Sequence, residues 1–267
     1  MLRERSGVEN LTTKCYAFRE GKCREETLEE HVLGILQCLE SRWEFNGLIR
    51  KTSKLLNIDR NIIAWLIKLS ALLHDIGKTS PDIQQKCREE SCTTFPNHFV
   101  YSARFAVSLG IKSGVLPERI EPIFNNLLWF DEDRLSMSLD DLYITVVVIP
   151  VLLHHYAGVS EKSLSHGIIE SGLMLEIDDS CKNSLLSLVG VLRNDAPFEL
   201  RPLVDKLSDM IKEGKADLST IPRLRTFLRT YSLSFIKSLA EAITGLLNIC
   251  DGVIAKQNRT ARSACPE

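Results

Sequence analysis

The stretch Leu72-Leu73-His74-Asp75-Ile76-Gly77-Lys78 lies at the end of a long run of apolar residues that recur at helical spacing. This periodicity predicts a helix that begins near Asp59 and is stopped by Gly77 and Pro81. His74 and Asp75 then occupy its last turn. An uncompensated carboxylate that faces a core is strongly destabilising, so Asp75 must pair with cations, accept several hydrogen bonds or bind metal.

Two further predicted helices carry histidines. The capping box Thr27–Glu30 precedes apolar residues at helical spacing, and His31 lies on their apolar stripe. The dipeptide Pro96-Asn97 opens another helix, which places His98 in its first turn and ends at Gly110. Both patterns bring an imidazole to a helix terminus or an inward face.

The segment Tyr143–Leu153 is the one place where residue preferences disfavour a helix. Residues 146–149 are β-branched and Pro150 follows them, whereas Ser138 and Asp141 resemble a helix start. We interpret the segment as a buried helix kinked at Pro150. A central strand is the alternative.

The remaining segments complete an all-α prediction. Residues 176–219 mix Asp, Lys, Ser and Gly with short apolar runs, which is typical of small surface helices and loops. Residues 232–255 are predicted to form one long helix, with Asp251 beside its inward stripe. We therefore predict a single helical domain over residues 1–267, with a small helical elaboration at about 176–219 toward the C-terminal half.

The composition indicates that the protein surface as a whole does not attract duplex nucleic acid. The chain has 267 residues, 44% hydrophobic and 25% charged, with a net charge of −2. A near-neutral protein binds polyanions only through local basic strips. Two such strips are present, and by themselves both are interpreted as solvated faces, with nucleic-acid binding as the alternative: Arg223, Arg225 and Arg229, and Lys256, Arg259 and Arg262.

The eight cysteines include no Cys-x-x-Cys pair, and the closest two, Cys87 and Cys92, have poor spacing for zinc. The N-terminus lacks an apolar signal segment, and no run of apolar residues approaches ~18. We therefore expect a cytoplasmic protein with reduced thiols and no membrane association. A Cys87–Cys92 disulfide of the kind found in thermophiles is the alternative.

Histidines and aspartates form the candidate metal site. A lone histidine on an apolar face is usually a core residue, but five histidines and two aspartates in such positions are too many to be explained in that way. The candidate ligands are His31, His74, Asp75, His98, His154, His155 and Asp251. Imidazole and carboxylate together suit Mn²⁺, Fe²⁺, Co²⁺ or Ni²⁺, and Mg²⁺ less well.

Asp75 is placed to bridge two such ions. Two ions ~3.5–4 Å apart activate water and stabilise an in-line phosphoryl displacement. The prediction is a divalent-metal-dependent hydrolase of phosphate esters, with Asp75 at its catalytic centre. Because histidine ligands must be neutral, activity is expected to fall below pH ~6.5.

Lys78 follows Asp75 by three residues and so lies on the same side, where it could hold a phosphate oxygen. An ordinary lysine at a helix C-terminus is the alternative. The triplet Gly77-Lys78-Thr79 imitates the end of a P-loop, but Leu72 occupies the place of the first glycine of that motif.

These motifs resemble the HD-domain metal-dependent phosphohydrolases. The run Asn97–Ala103, the pair His154-His155 and the run Asp251–Arg259 resemble the HD nuclease of type I CRISPR systems, and above all its stand-alone archaeal form. The likeness extends from about His31 to Arg259, although residues 176–219 match no recognised pattern. It implies an HD-domain helical bundle.

The resemblance implies two metal ions: one held by His31, His74, Asp75 and Asp251, the other by Asp75, His98, His154 and His155. It also implies that Lys78 touches the scissile phosphate and that Ser102 and Arg259 contact the substrate. For Ser102, helix packing is an equal alternative.

Members of such a family degrade single-stranded DNA, and some cut RNA, after a crRNA-guided surveillance complex has opened the duplex in antiviral defence. The guide supplies sequence recognition, and a basic strip tracks the single strand. The sequence ends at Glu267 without a P-loop, so we expect a separate helicase partner. The alternatives are an HD phosphohydrolase of nucleotides or small phosphate esters, and an HD-fold scaffold without chemistry.

Overall fold

The computed structural model describes residues 14–21, 24–128, 137–155, 172–221 and 235–261. In these ranges the chain is all-α apart from two sheets of two short strands each, which confirms the predicted fold class. The described helices are α1 (Leu28–Ser41), α2 (Trp43–Leu56), α3 (Arg60–Leu73), α4 (Pro81–Glu89), α5 (His98–Lys112), α6 (Glu121–Leu128), α7 (Leu139–Tyr143), α8 (Ile149–Leu153), α9 (Asp179–Asn194), α10 (Arg201–Glu213) and α11 (Phe235–Ala261). Short 3₁₀ helices cover Ile76–Thr79 and Phe198–Leu200, and a π-helical turn covers Ile144–Val148.

The two small antiparallel sheets differ in their connection, since one is a hairpin while two helices separate the strands of the other. Strands β1 (Tyr16–Glu20) and β2 (Arg24–Thr27) precede α1, and strands β3 (Met174–Glu176) and β4 (Lys215–Asp217) enclose α9 and α10. One buried apolar cluster extends from Ala17 through the helices to Cys250. Every described helix except α4 contributes to this core, and α4 packs in a small separate cluster through Cys87. The domain boundaries stay a prediction.

Helix α1 begins as predicted. The Thr27 hydroxyl accepts a hydrogen bond from the Glu30 N–H at 3.2 Å, and the Glu30 carboxylate accepts one from the Thr27 N–H at 3.2 Å. This reciprocal capping satisfies two backbone donors at the helix start. The apolar stripe of α1 packs chiefly against α11, and it carries His31 inward with it.

Residues 139–153 form a buried helical segment, so the helix prediction is confirmed and the strand alternative is wrong. The Ser138 hydroxyl accepts from the Asp141 N–H at 3.4 Å and caps α7. The residues before Pro150 widen into a π-helical turn. Proline has no N–H, so Pro150 cannot donate a backbone hydrogen bond to the preceding turn of the helix. Because this segment is almost completely buried, packing of the β-branched side chains outweighs their helix preference.

The elaboration at 176–219 is helical as predicted, but it is not superficial. Helices α9 and α10 have 16 and 13 residues, and α9 packs on α3 through a hydrogen bond from Trp65 Nε1 to the Leu192 carbonyl at 2.9 Å. The wholly buried Arg104 of α5 donates to the carbonyls of Leu218 and Ser219 at 2.8 and 3.1 Å. Short apolar runs suggested a surface, whereas each run is one buried face of a long amphipathic helix.

Three disulfides replace the predicted reduced thiols. Cys15 pairs with Cys181, Cys38 with Cys250 and Cys87 with Cys92. The expectation of reduced thiols is therefore wrong for the six described cysteines, and the Cys87–Cys92 alternative is correct. Sequence spacing missed the other two pairs because their partners are 166 and 212 residues apart.

Helix α11 contains one segment, Ile236–Thr260, that is long and apolar enough to cross a bilayer by composition alone. A core helix of a soluble protein passes the same test. Here Ile243, Leu247 and Cys250 are buried against the rest of the bundle, as the sequence pattern predicted. This inward stripe packs in the core, while Ile249 and Val253 on the other side of the helix are exposed.

Reduction of the disulfides is expected to lower the free energy of unfolding by ~2–5 kcal/mol, because the two long cross-links restrict the unfolded chain. Urea unfolding with and without a thiol reductant measures the difference. The unreduced Cys87→Ser/Cys92→Ser double variant is the control. Its free energy of unfolding should fall less than that of the fully reduced protein, since the Cys87–Cys92 bond spans a sequence separation of only 5. Alkylation of these six cysteines in the unreduced, denatured chain would contradict the pairing.

Candidate metal centre

The turn after α3 positions the adjacent histidine and aspartate. Helix α3 ends at Leu73, so His74 is its C-cap and Asp75 is the N-cap of the 3₁₀ helix Ile76–Thr79, one or two residues beyond the predicted last turn. The Gly77 N–H donates to the buried Ser102 hydroxyl at 2.9 Å. A side chain at Gly77 would place its Cβ 2.2 Å from the His98 carbonyl oxygen. Glycine therefore permits the N-terminus of α5 to approach Asp75.

Asp75 Oδ2 faces one group of side chains. It lies 3.4 Å from His31 Nε2, 3.3 Å from His74 Nε2 and 2.6 Å from Lys78 Nζ. Asp251 of α11 adds its Oδ1 at 3.1 Å from His31 Nε2. We call His31, His74, Asp75 and Asp251 the His31 group.

Asp75 Oδ1 faces a second group. It lies 3.2 Å from His98 Nε2 and 3.8 Å from His154 Nε2. The His155 ring centroid lies 4.9 Å from that of His98 and 4.2 Å from that of His154. The ligand atoms of these three histidines and Asp75, the His98 group, all lie within 4.8 Å of one another.

The outer ring nitrogens fix the orientation of three histidines. In each, Nδ1 lies within hydrogen-bonding distance of the backbone carbonyl three residues earlier: His74 to Ala71 at 2.7 Å, His98 to Phe95 at 2.5 Å and His154 to Val151 at 2.6 Å. A carbonyl can only accept, so Nδ1 carries the proton and Nε2 presents its lone pair. This arrangement is typical of metal-ligating histidines.

Five polar atoms at the centre are buried without a hydrogen-bond partner among the described residues. They are Asp75 Oδ1 and the Nε2 atoms of His31, His74, His98 and His154. Buried polar atoms without partners are rare because each forfeits its hydration. Divalent cations would satisfy all five, so the donor set fits a metal site. The nitrogen and oxygen donors suit Mn²⁺, Fe²⁺, Co²⁺ or Ni²⁺ better than Mg²⁺.

Glu26 supports His31 and was missed in the sequence. It is completely buried at the end of β2, and its Oε1 lies 2.8 Å from His31 Nδ1. Asn258 donates to the same oxygen at 2.8 Å, and Arg259 Nε lies 3.3 Å from Oε2. His31 is thus oriented by a carboxylate, whereas the other three histidines use carbonyls. The signal available in the sequence was a glutamate directly before the capping box, on a short strand made of polar residues.

The two groups differ in their proton affinity. Burial lowers the pKa of His31, but the surrounding carboxylates of Asp251, Glu26 and Asp75 outweigh it and raise the pKa to about 9. Burial lowers the pKa of His154 to about 3 and that of His155 to about 4. His154 and His155 are therefore neutral at neutral pH, while His31 holds a proton that a metal ion must displace.

The aspartates are ionised in spite of burial. Burial works to raise the pKa of Asp75, but the neighbouring His74 imidazole and the Lys78 ammonium hold it well below its usual range. Burial likewise works to raise the pKa of Asp251, and the neighbouring His31 imidazole lowers it. Both oxygens of Asp75 therefore carry negative charge between the two groups.

The predicted substrate contacts lie around the same centre. Lys78 Nζ bonds Asp75 and lies 4.7 Å from the Phe95 ring centroid. Arg259 pairs with Glu26, and its guanidinium lies 4.1 Å from the Phe18 ring centroid. Ser102 is buried, and its hydroxyl accepts a hydrogen bond from the Gly77 N–H. Such a contact is expected if Ser102 serves helix packing, which was the alternative to a substrate contact.

A cleft of about 910 Å³ opens onto the His98 group. Its lining includes Lys78, Phe95, His155, Asp251 and Arg259, and its rim includes exposed residues of the segment before α5. Of the two predicted basic strips, the one at Arg223–Arg229 lies outside the described residues, as does Arg262. Lys256 is exposed and Arg259 partly buried.

The structure thus brings all seven predicted ligands to one place. A scan against protein-family models gave no match, and a search of curated proteins gave none either. What the chain can do therefore has to be argued from the geometry of this centre, which could hold metal ions.

Glu26→Gln is expected to weaken metal binding at the His31 group by ~10–100-fold, because a neutral amide orients His31 less strongly and, with its oxygen toward His31 and Asn258, its NH₂ faces the Arg259 donor. Binding at the His98 group should stay within error. Calorimetric titration with Mn²⁺ measures both. Glu20→Gln on the exposed part of the same hairpin is the matched control, and equal loss at both groups would contradict the assignment.

Metal uptake at pH 8 is expected to release about one proton from the His31 group, because the pKa of His31 is raised to about 9. Affinity there should fall as pH drops below 9 and His31 keeps its proton. His154 and His155 have no proton to release at that pH. Titration with Mn²⁺ in two buffers of different ionisation enthalpy counts the protons, and a count near zero at pH 8 would refute the role of His31.

Proposed function

We propose that this protein is a divalent-metal-dependent nuclease of the HD type that hydrolyses phosphodiester bonds in single-stranded nucleic acid. One observation carries the proposal: the two oxygens of Asp75 face two separate sets of buried histidine nitrogens. A carboxylate in that position suits two ions side by side. Together they would supply an activated water and charge stabilisation for an in-line displacement.

The proposed division of ligands follows the two groups. His31, His74 and Asp251 would hold one ion with Asp75 Oδ2, and His98, His154 and His155 would hold the other with Oδ1. The fixed Nδ1 contacts keep each imidazole aimed before substrate arrives. Little reorganisation is then needed during the reaction.

Lys78 would hold the scissile phosphate. Its ammonium is a hydrogen-bond donor to Asp75 Oδ2, the oxygen that belongs to the His31 group. A cation at that oxygen would repel the ammonium and turn it toward the cleft, where the face of Phe95 favours a positive charge. Released in this way, Lys78 can donate to a phosphate oxygen next to the ions.

Three features support a polymeric single strand as the substrate. The cleft is open and large, at about 910 Å³, which suits a chain that passes through. The net charge of −2 disfavours general duplex binding. The motifs of the sequence resemble those of the CRISPR HD nuclease, and from that resemblance we propose a separate helicase and a crRNA-guided complex as partners. The digestion assay described below compares DNA with RNA and so measures which of the two is preferred.

The disulfides restrict the kind of organism in which this protein could be cytoplasmic. Stable disulfides are rare in the cytosol of mesophiles but common inside hyperthermophilic archaea and bacteria. Three bonds in a cytoplasmic nuclease therefore fit a hyperthermophilic source. This agrees with the stand-alone archaeal form that the motifs resemble.

The function is tested by digestion of single-stranded DNA, duplex DNA, RNA and mononucleotides with added Mn²⁺, Ni²⁺, Co²⁺ or Mg²⁺, with elemental analysis of the same preparation. We expect single strands to be cut faster than duplexes or mononucleotides. Turnover of mononucleotides alone would indicate a nucleotide phosphohydrolase. Metal-free protein that is inert with every ion would indicate a scaffold.

Two variants separate ligand from substrate contact. Asp75→Ala should abolish hydrolysis and lower metal content, because it removes the shared carboxylate. Lys78→Ala should retain the ions but lower turnover by ~100-fold or more, as loss of a charged contact to a reacting phosphate does. Metal content and hydrolysis are measured on both proteins. Loss of metal from Lys78→Ala would make that lysine structural, and wild-type turnover in Asp75→Ala would exclude the bridging role.

A further inference from the structure

A second cleft, far from the metal centre, combines an exposed aromatic ring with basic side chains. Trp43, at the start of α2, is 79% exposed. It borders a cleft of about 750 Å³ between α2 and α3, whose lining includes Asn46, Arg50, Arg60 and Asn61. We call these five residues the Trp43 cleft. Exposed tryptophan rings that line cavities present a large flat apolar surface to a ligand.

The face of α2 that carries Trp43 is the one turned away from the core. The buried stripe of this helix is formed by Phe45, Ile49, Thr52 and Leu56. Trp43 and Arg50 are seven residues apart, so they lie on one face, two turns from each other. Gly47 lies between them, and a side chain there would meet nothing within 4 Å. The space between the ring and the guanidinium is therefore open.

The charge of the cleft favours an anionic ligand. Arg50 and Arg60 are exposed and form no ion pair within the described part of the chain. The third cation, Lys68, is already held by Glu40 at 2.5 Å and by Asp195 at 3.4 Å. Two uncompensated guanidinium groups on a protein of net charge −2 mark a local positive surface.

The cleft is separate from the metal centre. Arg60 begins α3, and Leu73 at its other end directly precedes His74. Fourteen helical residues span ~20 Å. A ligand in the cleft therefore does not touch the His31 or His98 group, although a nucleic-acid strand of a few nucleotides is long enough to reach both.

We propose that the Trp43 cleft is a nucleotide-binding subsite for single-stranded nucleic acid. A base would stack on the Trp43 ring, Arg50 and Arg60 would hold phosphates, and the amides of Asn46 and Asn61 would contact base or sugar. An aromatic platform beside a basic track is the usual chemistry of strand binding without sequence preference. The inference rests on the proposed function for its substrate, and it adds a site at which the strand is held away from the reaction.

The test is binding of a fluorescent oligothymidylate with phosphorothioate linkages to the full-length protein with Mn²⁺, read by anisotropy. A strand of the same length without bases is measured in parallel. Trp43→Ala should weaken binding of the oligothymidylate by about tenfold, because one stacked base is lost, and should leave the abasic strand unchanged. Trp43→Phe should restore most of the affinity. Arg50→Glu/Arg60→Glu should weaken both strands.

Lys212→Glu is the control for a charge reversal elsewhere on the surface, since Lys212 is exposed on α10 and forms no ion pair with a described residue, and it should change neither affinity. Thermal melting confirms that each variant folds. Unchanged oligothymidylate binding by Trp43→Ala, or an equal loss for both strands, overturns the stacking role and leaves this face to a protein partner. Binding is measured apart from turnover, so strand binding through Trp43 by a wild-type protein that hydrolyses nothing would retain this inference and remove the nuclease function.

Discussion

The centre of this protein depends on one buried, ionised carboxylate. Asp75 is 1% exposed, and imidazole nitrogens surround both of its oxygens. In the described residues only Lys78 gives it a direct hydrogen bond, and Oδ1 has none. Burial of an uncompensated carboxylate is strongly unfavourable, and Lys78 compensates only the Oδ2 side of Asp75. The helical scaffold therefore maintains an arrangement that could hold metal ions.

Much of the surrounding structure holds that arrangement in place. The wholly buried Gln84 of α4 donates to the Lys78 carbonyl at 2.9 Å and also pairs with the Tyr16 backbone, so it ties the N-terminal hairpin to the turn after Asp75. The Asp178 N–H donates to the Thr79 carbonyl at 2.8 Å and joins the elaboration to the same turn. The Cys38–Cys250 disulfide links the helix of His31 to the helix of Asp251. Ligands far apart in sequence are thus fixed by contacts that involve no ligand.

The two groups around Asp75 are built differently, and this bears on how they would work. The His31 group has an extra carboxylate, Asp251, and a carboxylate behind His31, so it holds more negative charge and keeps a proton until a metal arrives. In the His98 group, burial keeps His154 and His155 neutral, and the group borders the open cleft. Both groups reach this cleft, since its lining includes Asp251 as well as His98, His154 and His155. The Trp43 cleft includes no residue of either group and lies at the other end of α3.

The sequence by itself determined the helical class, the capping box, the helix before His74 and the residue types of the metal site, because these depend on local periodicity and on short motifs. It missed Glu26, two disulfides, the depth of residues 176–219 and the exposure of Trp43. It also could not assign either oxygen of Asp75 to its histidines, or show that Lys78 pairs with Asp75. Those features were decided by tertiary structure, since each is a contact between elements far apart in the chain, and helical spacing carries no information about which faces meet.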